Sequence, residues 1–101
     1  MAAARPLAIF PATHPAFAGH FPGDPMVPGV LLLDELIHRL AAELDLPYAR
    51  FRVQSVKFLA PVRPADSVSW TFASLSNGTF SFLLSVADCR IAVGAILARP
   101  A

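Results

Sequence analysis

The segment His20-Phe-Pro-Gly-Asp-Pro-Met-Val-Pro-Gly-Val-Leu-Leu-Leu-Asp34 sets three prolines and two glycines directly before the longest helical pattern in the chain. Proline fixes φ and glycine reaches turn conformations that other residues avoid, so such a loop holds one shape with little packing behind it. Pro28 and Gly29 open a helix expected to run from about Pro28 to Asp45, with Pro47 as its stop. Its first turn, Val30-Leu31-Leu32-Leu33, is apolar on every side, which predicts burial. Asp34 follows at once, and an unpaired carboxylate in such a place costs on the order of several kcal/mol. Spacing alone leaves two accounts open. In one, Asp34 faces water and His20 is a loop histidine with a structural hydrogen bond; in the other, the stiff loop presents His20 to an acid that has work to do.

Working outward, Val30, Leu33, Leu36, Ile37, Leu40, Ala41 and Leu44 recur at helical spacing, while Glu35, Arg39 and Glu43 fall on another face, which puts Glu35 in solvent. Residues 1 to 6 are small and irregular and are expected to fray, and Leu7 to Phe10 reads as a short strand. His14, held extended by Pro15, reads as structural or exposed. Phe51 to Leu59 forms a second strand pattern. Val68, Trp70 and Phe72 then alternate with Ser67, Ser69 and Thr71, as in a sheet with one face on a core. Leu75 is out of phase, which predicts a bulge near Ala73. Asn77-Gly78 marks a hairpin into Phe80, Phe82, Leu84 and Val86, and a short turn at Asp88-Cys89 leads to a last strand, Ile91 to Ala98. One long helix and a run of antiparallel strands with one apolar face imply an α+β fold, a sheet wrapped around a central helix, in a single domain spanning residues 1 to 101.

Composition narrows the function classes. With 55% hydrophobic residues in a chain of 101, the apolar surface exceeds what a small monomer hides, so a homo-oligomer is expected. A net charge of +1 without a basic tract argues against nucleic acid as a partner. Cys89 is the only cysteine, which excludes an intrachain disulfide and a thiolate zinc cluster and fits a reduced compartment. Pro11 interrupts the apolar run Leu7 to Phe10, so no signal peptide is read and cytoplasmic placement is expected. Residues 67 to 87 carry no charge, but Ser, Thr and Asn77-Gly78 break them up, and they read as a hairpin, not a membrane span.

The pattern His-Phe-Pro-Gly-Asp-Pro-x-x-Pro-Gly-Val-Leu-x-x-Asp, with its acid 14 positions after His20, resembles the active-site segment of the beta-hydroxyacyl-acyl carrier protein dehydratases of bacterial fatty-acid synthesis. His14-Pro-Ala-Phe-Ala-Gly-His20 is similar to that family's approach to its histidine, and Ser55-Val-Lys-Phe-Leu-Ala-Pro-Val-Arg-Pro-Ala-Asp66 resembles the strand and turn after its helix. The likeness covers roughly residues 7 to 98. It implies the hot-dog fold, paired into a dimer in which the histidine and the acid of one site come from different subunits. One branch of the family carries glutamate and the other, which also isomerises the double bond, aspartate; Asp34 matches the second. Family members usually begin with an additional strand-forming segment that this sequence lacks, which bears on how an acyl tunnel would close.

The implied reaction removes water from a 3-hydroxyacyl thioester on acyl carrier protein, without cofactor or metal. It needs a base for the C2 proton, an acid for the departing hydroxyl, and donors for the thioester oxygen. His20, with an unperturbed pKa of about 6.5, suits the first. Asp34 suits the second if apolar surroundings keep it protonated. The Gly29 amide, with Val30 beside it at the helix N-terminus, suits the third. His38 stands where the family usually has glutamine, one turn after the acid, and is a candidate modulator, since positions i and i+4 are neighbours. Lys57, Arg63 and Arg90 are candidate docking charges for an acidic carrier. The alternative is a non-catalytic hot-dog subunit that binds an acyl chain or partners an active homologue; a hot-dog thioesterase is a third reading, although those lack this histidine loop.

Overall fold

The computed structural model describes residues 4–15 and 25–99. In chain order these form β1 (Arg5–Ile9), α1 (Gly29–Leu44), a single 3-10 turn (Tyr48–Arg50), β2 (Phe51–Phe58), β3 (Ser67–Ser74), β4 (Thr79–Val86) and β5 (Cys89–Ala98). The strands make one antiparallel sheet in the order β1-β3-β4-β5-β2, with α1 packed against it. This is the expected α+β hot-dog arrangement. No helix among the described residues is long and apolar enough to cross a membrane.

Alternation explains the core. Trp70 pairs with Leu84 and Leu84 with Ala92, a row buried on the inner face and met by Leu32, Leu36, Ile37 and Leu40 of α1. Between β4 and β2 the inner row passes through Gly94, where a Cβ would run into the Ser55 carbonyl oxygen and lie 2.9 Å from the Phe82 ring. Glycine therefore lets β2 lie close beside β5, at the register shift between Val53 and Ser55.

The hairpin at Asn77-Gly78 is as expected: φ is 54° and 77°, both positive as a type I′ turn requires, and the Thr79 amide donates to Ser76 at 3.0 Å. The expected bulge near Ala73 is not there. Pairing runs unshifted from Val68 with Val86 to Ser74 with Phe80, and Leu75 simply lies past the strand, exposed. The irregularities fall between Pro6 and Ala8, Val53 and Ser55, and Leu84 and Ser85. β5 begins two residues before the expected Ile91 because Ala87 adopts φ 52° and closes a tight turn. β1 likewise begins at Arg5, inside the stretch expected to fray. Arg5 pairs with Glu43 of α1 and lies over the Trp70 ring at 5.8 Å, contacts that hold the strand from its first residue. His14 packs edge-on against Phe10 at 5.5 Å, a structural role.

Candidate active site

The helix start is built by backbone. The Val27 amide donates to the Val62 carbonyl at 2.7 Å, which ties the chain entering α1 to the turn after β2. Pro28 follows in extended geometry (φ −59°, ψ 138°) and supplies no side-chain cap. The Leu31 amide folds back on Pro28 at 3.0 Å, so the amides of Gly29 and Val30 are left without an acceptor inside the helix. Gly29 lies close under a side chain: a Cβ there would meet the tip of the Phe58 ring at 2.5 Å as the ring now stands. Beside it opens an apolar groove of about 450 Å³, lined by Val27, Gly29, Leu32, Phe58 and Pro61 among others. Such a groove suits a hydrocarbon chain, with amide donors and the positive end of the helix dipole at one of its walls.

Val30, Asp34 and His38 stand one above another at i, i+4 and i+8 along a single flank of α1. That flank is open. Val30 is 70% exposed, and the Asp34 and His38 side chains are 47% and 58% exposed. The expectation that the first turn is buried on every side is therefore corrected: Leu32 is sealed, whereas Val30 points off the arc that the sheet covers. Asp34 is correspondingly not enclosed by apolar groups within one chain. Glu35, expected in solvent, is half-buried.

What holds Asp34 is polar. Its Oδ1 accepts a hydrogen bond from the Tyr48 hydroxyl at 2.7 Å, and His38 Nε2 lies 3.6 Å from the same oxygen. The His38 and Tyr48 rings are in contact, with centroids 4.6 Å apart. His38 thus stands beside the acid, as its spacing indicated. The hydrogen bond to Asp34 pushes the Tyr48 phenol above its ordinary value of about 10, with burial and the Asp34 charge acting in the same direction. Sequence reasoning missed Tyr48. It is the only tyrosine, directly after Pro47, but no periodicity links it to a residue 14 positions earlier. The contact depends on how the chain leaves α1. Asp45 adopts the left-handed conformation (φ 54°, ψ 48°), and the Leu46 amide returns to Ala41 at 3.0 Å. The helix thus ends by this closure, ahead of Pro47.

His20 lies outside the described residues. Of the candidate docking charges, Lys57 pairs with Val93 and Arg90 with Ser85, which by alternation puts both on the sheet face turned away from α1. Arg63 sits in the turn after β2, where its amide donates to the Asp66 carboxylate at 2.9 Å.

Comparison with known proteins fits this geometry. The ApeI-like family model, described as ApeI dehydratase, matches residues 5–95. The chain belongs to the ApeI-like dehydratase family. It is also similar to the 3-hydroxyacyl-acyl-carrier-protein dehydratase FabZ of Wolbachia pipientis subsp. Culex pipiens, 33% identical over 95 residues, covering 82% of this chain and 66% of that protein. The FabZ of Thermomicrobium roseum is 39% identical over 62 residues, covering 54% of this chain and 41% of the relative, so the chain spans about two-fifths of its length. Among solved structures, the dehydratase heterocomplex ApeI:P from Xenorhabdus doucetiae superposes with a TM-score of 0.68 at 22% identity, over 88% of this chain and 80% of that one, a likeness of fold. The residues that match the ApeI-like family run from β1 through most of β5, so the match takes in α1 and all five strands, the last in part.

Proposed function

We propose that this ApeI-like chain dehydrates 3-hydroxyacyl thioesters carried on acyl carrier protein to trans-2-enoyl thioesters. The observation that carries the reading is the placement of Asp34: a hydrogen-bonded acid on an open flank, one turn above Val30, on the same helix whose first turn lines the apolar groove at Gly29. The acyl chain lies in the groove. His20 takes the C2 proton, Asp34 gives a proton to the C3 hydroxyl as the C3–O bond breaks, and the electrons of the C2–H bond become the new double bond. The Gly29 amide, assisted by Val30, receives the charge that grows on the thioester oxygen. Water leaves, and proton return from His20 to Asp34 through solvent resets the pair. A shared site fits the open flank, because a second copy would cover Val30, Asp34 and His38 and supply the histidine.

The test is turnover of a 3-hydroxyacyl thioester, followed by enoyl absorbance. His20→Ala and Asp34→Asn are each expected to lower the rate by roughly 100-fold or more, the scale of a lost general acid or base, while remaining folded. A folded Asp34→Asn protein with native turnover overturns the assignment. Absence of turnover in the parent would instead favour the non-catalytic acyl-binding or partner subunit, a reading in which the open flank receives a different chain.

A further inference from the structure

We infer that Tyr48 is a positioning residue for Asp34: its hydroxyl occupies Oδ1 and so leaves Oδ2 as the oxygen that carries the proton to the substrate. The inference rests on the proposed dehydration and adds to it a residue that the His20 and Asp34 pattern does not contain. A carboxyl on a helix flank rotates about its last bond, and either oxygen can be protonated. Here the 2.7 Å bond from Tyr48 fixes one oxygen as an acceptor, and His38 stands 3.6 Å from that same oxygen. Among the described residues these two polar side chains stand against the carboxyl, and both contacts are made to Oδ1, which leaves Oδ2 on the side open to solvent. A proton on Oδ1 would compete with the phenol donor, so the acid form places it on Oδ2. The phenol is itself held against the His38 ring, and the chain turns back at Asp45 to bring it there, so its position is set by α1 and not by a free loop.

Because Tyr48 is the only tyrosine of the chain, its ionisation can be read without interference from another phenol. Alkaline titration of tyrosinate absorbance in the purified protein should place it above the ordinary phenol value of about 10, and Asp34→Asn should bring it down toward that value. This readout does not need activity. Kinetically, Tyr48→Phe should lower kcat by roughly 10-fold or more with KM nearly unchanged, since orientation of the acid matters to the transition state and not to substrate binding. Tyr48→Leu, which also removes the ring against His38, should be no less impaired. Coincident phenol titrations in the parent and Asp34→Asn overturn the contact whatever the enzyme does. A perturbed titration with native kcat in Tyr48→Phe overturns the positioning role and leaves the dehydratase reading standing. That reading fails separately, if folded Asp34→Asn turns over normally.

Discussion

At the scale of single residues, the site turns on what surrounds one carboxyl. His38 is a group that can gain charge, and its Nε2 lies 3.6 Å from Asp34 Oδ1. A protonated His38 favours the ionised carboxylate, the form that has no proton to give. His38→Gln is therefore expected to keep or raise dehydration and to change the acidic limb of the rate profile, whereas His38→Leu should lower it by roughly five-fold, the scale of one lost polar contact. Superimposable pH profiles for the parent and both variants would show that His38 has no bearing on the acid. Tyr48 adds a second pH dependence, at the alkaline end. Its phenol is raised in the folded protein, so its contribution to stability is fully present below about 10 and is lost as pH rises through the folded value. The stability difference between the parent and Tyr48→Phe, measured by urea denaturation, should shrink accordingly. That Asp34 and His38 are neighbours on one flank was legible from the sequence, because a single helical period connects them. Tyr48 was not, since its contact is made by a chain reversal that leaves no periodic trace.

Elements obey local rules where their partners are local. Strict alternation gave β3 and β4 their inner faces, and Asn77-Gly78 its turn, because period and turn chemistry are written in neighbouring residues. Long-range ties were invisible: Arg5 extends β1 through Glu43 and Trp70, far along the chain, and the burial of α1 covers an arc from Leu32 to Ala41 that leaves Val30 outside. Two glycines now separate packing from function. At Gly94 an added methyl meets the Ser55 carbonyl, which is backbone and cannot swing away, so Gly94→Ala should cost about 1–3 kcal/mol and lower the melting temperature by several degrees. At Gly29 the obstacle is the Phe58 ring, a side chain 46% exposed and able to turn outward. Gly29→Ala should accordingly melt close to the parent while losing turnover, because the displaced ring alters the groove beside the amide donors. Calorimetry and rate measurement on the two variants check the contrast; equal loss of stability in both would mean that Phe58 is as immovable as the sheet.

At the scale of the whole molecule, one chain leaves its candidate site unfinished. The flank bearing Val30, Asp34 and His38 is open, Phe58 and Leu59 are 46% and 42% exposed beside the groove, and β2 is an edge strand of the sheet formed by the described residues. Exposed apolar side chains next to an edge strand invite a second polypeptide. A homodimer is the simplest closure, because a two-fold axis supplies each copy with the same cover. Sedimentation should therefore find a dimer, or a multiple of it, at micromolar concentration, and Val30→Glu should weaken it. A sharper test mixes two inactive proteins. Let one partner carry His20→Ala and the other Asp34→Asn, each dead alone. If a site draws its histidine from one copy and its acid from the other, a mixed dimer contains one wholly intact site and one doubly damaged. Random exchange makes about half of the dimers mixed, so about a quarter of the parental activity should return on mixing. If both residues of a site belong to the same chain, every site in every dimer keeps a defect and nothing returns. Recovery on mixing thus decides whether assembly creates the active site or merely covers it.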